Sequence, residues 1–346
     1  MAIVIKAEKD LFFKSHDDDL QFSIFKEYQE GSNKPLTIIH HIDADGIFSA
    51  QIVIKVIKEF FGAKDISITN VPYNYEKPFD FTSAIKKGSN VIVVDLSLKM
   101  NDIKSILKNA NSLFIIDHHL TTLREIDSNY KFYKNKIYDR SLGMHICIKN
   151  AGVGLCYKIF KDCVNSYGAT LADSVNEKAI GLIDRYDRFG FLNEKDREEC
   201  LSIYNFTLRS NQLYINSEMV TELLCNKDYL DKALKFGKEF YDESVIMNEI
   251  RYRAFAKQTT FTFNGNVYNC CYMYGSGNSA TFGKHIDEFD FVSLIRKNKD
   301  TDGYIVSFYT SKDNIDVSEI ARSFGGGGHK QAAGSPVKYN IYEEGK

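Results

Sequence analysis

"VIVVDLSLKMNDIKSILKNANSLFIIDHH", residues 91–119, holds two short apolar runs that each close on an aspartate, with a helical stretch between them. "VIVVDLS" and "SLFIIDHH" are continuously apolar and short, as strands buried on both faces must be, while "KMNDIKSILKNAN" spaces its apolar residues as a helix does. Strand, crossover helix and strand make a parallel pair. The alternation extends upstream: "LTIIHHID" (36–43) reads as a strand, "GIFSAQIVIKVIKEFFG" (46–62) as a helix closed by Gly62, "ISITNVPY" (66–73) as a strand and "FDFTSAIKKG" (79–88) as a helix. Residues 151–167 and 174–189 read as helices that cover the sheet. The pattern predicts an α/β fold with a doubly wound, mainly parallel sheet, which places ligands at the carboxyl ends of its strands.

Residues 1–205 are expected to form this domain, with a helix before "EGSNKP" (30–35). A polar, helical connector is expected over 206–256 and a smaller α/β domain over 257–346. In the last of these, "TTFTFNGNVYNCCYMY" (259–274), "FDFVSLIRKN" (289–298) and "GYIVSFYTS" (303–311) are strands punctuated by Asn-Gly and Asp-Gly turns.

At 346 residues, 44% hydrophobic and 13% aromatic, the chain has ample material for packed cores. No run approaches ~18 apolar residues, and the start "MAIVIKAEKDLFFKSHDDDL" meets acids too early for a secretory h-region, which argues against a membrane span or a secretory leader and for a cytoplasmic protein. The seven cysteines include no C-x-x-C pair, which fits reduced thiols, and Cys270 and Cys271 read as packing residues on opposite faces of a strand. A net charge of −2 argues against a surface built to grip long duplexes, so a phosphate-bearing partner should be small or held by a local site, and no stable long nucleic-acid partner is expected. A homodimer is compatible with the sequence.

Three predicted strands end in metal-type ligands: His41, Asp43 and Asp45, then Asp95, then Asp117, His118 and His119. Taken singly, Asp95 could cap a helix, and Asp43 or Asp45 could shape the turn before Gly46. Gathered at one sheet edge, they would repel one another unless a cation neutralised them. Carboxylates mixed with imidazole suit Mn²⁺ or a related divalent ion, and a shared carboxylate permits a pair of ions.

"HIDADG", "VVDLS", "IDHH" and "GLIDRYD" resemble, in order, the four motifs of the DHH phosphoesterase superfamily, and "GGGGHKQAAG" (325–334) is similar to the signature of its DHH-associated C-terminal domain. The resemblance spans Leu36 to Gly334. It implies two divalent ions, Mn²⁺ before Mg²⁺ or Co²⁺, held by His41, Asp43, Asp45, Asp95, His118 and Asp184, with Asp95 bridging. It makes Asp117 the acid that orients the histidine pair, and His119 the group facing the phosphoryl centre. Asp187 lies three residues beyond Asp184 and could share its face, but Asp184 is preferred. Two features depart from the pattern: His41 stands two residues before Asp43, an arrangement resembling the exonuclease branch with histidine in place of aspartate, and "DRYDRFG" replaces the Asp-Thr-Gly that commonly continues the fourth motif.

In "ARSFGGGGHKQAAG" (321–334), Gly326, Gly327 and Gly328 could let backbone N–H groups approach an anion, with Ala332 and Ala333 at the start of a following helix. Arg322, His329 and Lys330 would add donors and positive charge for a terminal phosphate or base. The expected function is a metal-dependent phosphodiesterase acting on short oligonucleotides or on linear or cyclic dinucleotides and releasing mononucleotides. A 3′-phosphoadenosine 5′-phosphate phosphatase activity is compatible with the same pocket. The alternatives are a RecJ-like single-strand exonuclease and a non-catalytic nucleotide-binding sensor.

Overall fold

The computed structural model describes residues 12–14, 24, 27–28, 30–62, 65–75, 79–138, 141–299 and 301–342. The helix expected before "EGSNKP" falls largely outside them. The chain divides into two compact units, residues 1–240 and 241–346.

The first unit is built on a six-stranded sheet. In chain order its elements are β1 (Phe12–Lys14), β2 (Leu36–His41), α1 (Ala44–Glu59), β3 (Ile68–Tyr73), α2 (Phe81–Ala84), β4 (Asn90–Val94), α3 (Met100–Leu107), β5 (Ser112–Asp117), α4 (Leu120–Ser128), α5 (Tyr130–Tyr138) and β6 (Leu142–Cys147). Across the sheet the order is β1-β6-β5-β4-β2-β3. Five strands run parallel, and only β1 pairs antiparallel, along β6. Alternate residues of each strand enter different cores. Ile38, Ile92, Val94, Phe114 and Ile116 pack on one face, and Ile39, Val91, Val93, Leu113 and Ile115 on the other. Burial on both faces is why these strands read as unbroken apolar runs.

The chain leaves β2 through α1 to β3 on one side, then returns to β4 on the other, so the direction of winding reverses between β2 and β4. The carboxyl ends of these two strands, with that of β5, therefore flank the crevice that the topology leaves open.

Helices α6 (Gly152–Ser166), α7 (Glu177–Asp187), α8 (Glu194–Arg209) and α9 (Glu218–Cys225) join α1 over one face. The expected connector from 206 therefore begins too early. Met219, Val220, Leu223 and Leu224 of α9 are core residues of the first unit, a buried stripe that the polar average of the segment conceals. The long helix α10 (Lys227–Phe255) holds the division between the units. Its Leu230 and Ala233 join the first core, and Gly237 lies so close to the Ser202 carbonyl of α8 that a methyl group would overlap it.

The second unit carries β7 (Lys257–Phe263), β8 (Asn266–Tyr274), β9 (Phe291–Lys297), β10 (Tyr304–Tyr309), α11 (Val317–Ser323), β11 (Gly327–Gly328) and β12 (Ala332–Val337). They form one mixed sheet, ordered β11-β12-β10-β9-β8-β7, in which only β8 and β9 are parallel. Asn264 and Gly265 both take positive φ, the requirement of the tight turn expected between β7 and β8. Cys270 packs with α11 on one face and Cys271 with Phe282 on the other, as packing thiols should. Among the described residues no helix is long and apolar enough to cross a membrane.

Candidate metal centre

The pairing of His40 with Val94 and of Val94 with Ile116 sets His41, Asp95 and Asp117 level at adjacent strand ends. Asp95 leaves the sheet at φ +55°, a left-handed conformation that Asp and Asn tolerate better than most residues. Just past β2, Asp43 caps α1 by accepting the Gly46 N–H at 3.0 Å, and its other oxygen lies 2.8 Å from His41 Nδ1.

Asp45 is buried at the amino end of α6. It accepts hydrogen bonds from the N–H groups of Gly152 (2.6 Å) and Val153 (2.7 Å), where the helix dipole favours negative charge. A Cβ on Gly152 would stand 2.9 Å from Asp45 Oδ2 and from the Asp95 Cβ, so the helix can approach this closely only without a side chain there. Sequence reasoning passed over this glycine. The available signal was a helix starting on the small residues "AGVG" (151–154).

His118 Nε2 lies 3.1 Å from Asp95 Oδ1, 3.4 Å from Asp187 Oδ2 and 3.6 Å from Asp45 Oδ2. The ligand atoms in this unit gather in overlapping groups: Asp45, His118 and Asp187; His41, Asp43 and Asp95; and Asp95 with Asp117, His118 and His119. Asp95 touches the first two, because its Oδ1 faces His118 while its Oδ2 is 3.9 Å from His41 Nδ1.

The charges in this cluster conflict. Burial, reinforced by the Asp45 and Asp43 carboxylates, holds the Asp95 carboxyl well above the usual range, and burial with its acidic neighbours raises Asp45 and Asp187 too. Asp95 Oδ2 and Asp187 Oδ2 are buried without a hydrogen-bond donor. Buried carboxylate oxygens lacking donors, set beside imidazoles, are a donor set that fits divalent cations.

The two histidines are pushed in opposite directions. Burial and the adjacent His119 bring His118 down to about 4, so its ring is neutral and can offer a lone pair at Nε2. Burial would also lower His119, but Asp117, 2.7 Å from its Nδ1, raises it to about 9. Asp117 itself, buried yet paired with His119, sits at about 2 and accepts a further hydrogen bond from Thr122, whose hydroxyl reaches Ser97 at 2.8 Å.

Asp184, expected among the ligands, lies outside all of these groups. Its Oδ1 accepts the Ala151 N–H at 2.7 Å and its Oδ2 takes Arg188 Nη2 at 2.6 Å, so it ties α7 to the start of α6. Asp187, one turn further along α7, reaches the cluster in its place. Replacing Asp187 with Asn is expected to cost roughly 10²-fold or more in kcat/KM with loss of bound metal. Asp184→Asn should retain metal and instead lower the urea midpoint, by about 1–3 kcal/mol of stability. Metal content and a denaturation curve on both variants decide, and the reverse pattern would restore Asp184 as the ligand.

In the second unit the glycine run is a hairpin. Gly327 pairs with Gly334 and Gly328 with Ala333, and a side chain on Gly326 would collide with the Gly334 carbonyl. Ala332 and Ala333 therefore start a strand, not the expected helix, because they pair with Tyr309 and Phe308 of β10. His329 turns the hairpin through backbone hydrogen bonds with Ala332, the Lys330 backbone carbonyl accepts the Val317 N–H at 2.9 Å, and Arg322 lies near Glu319 on α11.

Residues 35–183 match the model of the DHH family, N-terminal domain, and residues 276–344 match that of the DHHA1 domain. An uncharacterized protein of Acanthamoeba polyphaga mimivirus is 24% identical over 317 residues, which cover 86% of this chain and 66% of the relative, just under two thirds of its length. Among solved structures, a DHH domain described as a member of the s1p family of ribosomal proteins superposes with a TM-score of 0.56 at 14% identity, covering 92% of this chain and 86% of that one. RecJ from Thermus thermophilus, solved in complex with Mn²⁺, gives 0.54 at 12% identity, covering 92% of this chain and 52% of that one. At such identities the likeness speaks for the fold.

Proposed function

The chain belongs to the DHH family of phosphoesterases, with a DHHA1 domain in its C-terminal part, and on that footing we propose that it is a metal-dependent phosphodiesterase of short oligonucleotides or dinucleotides. The observation that carries this reading is the pair of three-ligand groups meeting at Asp95. His41, Asp43 and Asp95 would hold one ion and Asp45, His118 and Asp187 another, Mn²⁺ by preference for mixed carboxylate and imidazole donors. When bound, such ions supply Lewis-acid charge and lower the pKa of water.

The remaining steps fall to the chain. His119, held by Asp117 through Nδ1, donates through Nε2 to the phosphoryl oxygens as negative charge builds on them. A net charge of −2 supplies no basic track for a long strand, so short substrates lose nothing by their length.

The test is a substrate panel in Mn²⁺ running from cyclic and linear dinucleotides to RNA and DNA of about 24 residues, read by product length. The expected result is kcat/KM highest at two to five nucleotides, mononucleotide products, and activity abolished by chelator and restored by Mn²⁺. Processive degradation of the long strands as fast as the dinucleotides would replace this reading with a single-strand exonuclease.

A further inference from the structure

Beside the first ligand group, the segment "NVPYNY" (70–75) ends β3 and sets Tyr75 against it. The Tyr75 ring centroid is 5.7 Å from that of His41, tilted by 42°. Its hydroxyl is fixed inward, accepting the Ser97 backbone N–H at 2.7 Å, two residues beyond Asp95. Behind it stands an aromatic wall. Tyr73 meets Tyr75 edge to face at 5.4 Å and Phe79 at 5.6 Å, and Phe79 packs on Phe81 at 4.9 Å. Phe81 is buried and anchors the wall to the core, whereas Tyr75 remains 49% exposed.

Exposure alone does not distinguish Tyr75, since Tyr214 and Phe236 are as open; its fixed placement beside His41 does. Tyr75 is clamped at its hydroxyl and along one edge while half of its surface faces solvent, its ring centroid 5.7 Å from that of His41. A rigid flat ring in that position suits stacking by a nucleobase, which loses little entropy on meeting a pre-ordered partner and shows little base preference.

We propose that Tyr75 is the platform on which the nucleobase next to the reacting phosphate stacks, making the nucleoside part of what this centre recognises. This rests on the nucleotide reading above and narrows it: inorganic or sugar phosphates lack the group that Tyr75 holds.

The test uses the full chain loaded with Mn²⁺ and compares equilibrium binding of the four ribonucleoside 5′-monophosphates with that of ribose 5-phosphate. The native chain should bind at least one nucleotide about tenfold more tightly than the sugar phosphate, a preference that Tyr75→Leu abolishes and Tyr75→Phe keeps. No preference in the native chain would overturn the proposal, as would a Tyr75→Leu variant that retains it. Equal weakening of every ligand together with lost metal would also overturn it, making Tyr75 a support for His41. A preference carried by Tyr75 in a chain that cleaves no dinucleotide leaves the platform standing and removes the phosphodiesterase reading. Cleavage without the preference does the opposite.

Discussion

Asp95→Asn is expected to lower turnover by on the order of 10³-fold or more, the scale at which loss of metal-ion assistance is felt. The substitution is clean. Asn accepts the left-handed backbone that Asp95 adopts at φ +55°, so the chain can leave β4 unchanged, and the side chain keeps its shape. What disappears is the charge that faces both ligand groups, with Oδ1 toward His118 and Oδ2 toward His41. That charge is a burden to the metal-free protein, since burial and the neighbouring Asp45 and Asp43 disfavour it. In chelator the variant should therefore melt no lower than the native chain, while the rise in melting temperature on adding Mn²⁺ should shrink or vanish. Retained turnover with two ions still bound would refute Asp95 as their shared ligand. A variant that melts much lower in chelator would mean that the residue serves the fold.

The contrast between a costly charge and a required one also explains which parts of the molecule were legible beforehand. The parallel strands were, because burial on both faces leaves an apolar run that little else imitates, as in "VIVV" before Asp95 and "LFII" before Asp117. Their ligands were legible because sheet topology brings strand ends together whatever covers them. β6 was not, since "LGMHIC" dilutes its apolar residues with a glycine and a histidine. The choice between Asp184 and Asp187 was not legible either. Three residues apart on α7, both can face the sheet, and the decision lies with Ala151 and Arg188, whose donors engage Asp184. The glycine run misled for a related reason. Glycines that admit a phosphate and glycines that admit another strand look alike until the partner is known, and here Gly326 and Gly328 meet the backbone of 332–335.

His119→Ala and His118→Ala should part company, although the residues are neighbours with ring centroids 4.4 Å apart. His118 points Nε2 at three carboxylates and is neutral, the state in which imidazole binds a cation, so its loss should empty at least one ion site. His119 stands beside it, its Nδ1 2.7 Å from Asp117 Oδ1 and 3.9 Å from Asp95 Oδ1. Its Nδ1 is bound to Asp117, which Thr122 in turn supports, and the pairing keeps a proton on the ring. Such an oriented donor matters when charge develops on a phosphoryl oxygen, and removing one comparable donor elsewhere costs roughly 10²–10³ in kcat. His119→Ala should show a loss of about that size with metal content near normal and KM little changed, and Asp117→Asn should share part of it by releasing the ring. The measurement is metal stoichiometry beside steady-state kinetics on one dinucleotide. If His119→Ala loses its ions as fully as His118→Ala does, the second histidine is a ligand as well. The phosphoryl donor would then have to be sought elsewhere, with Arg188, held by Asp184 at the C-cap of α7 one residue beyond Asp187, as a cationic candidate.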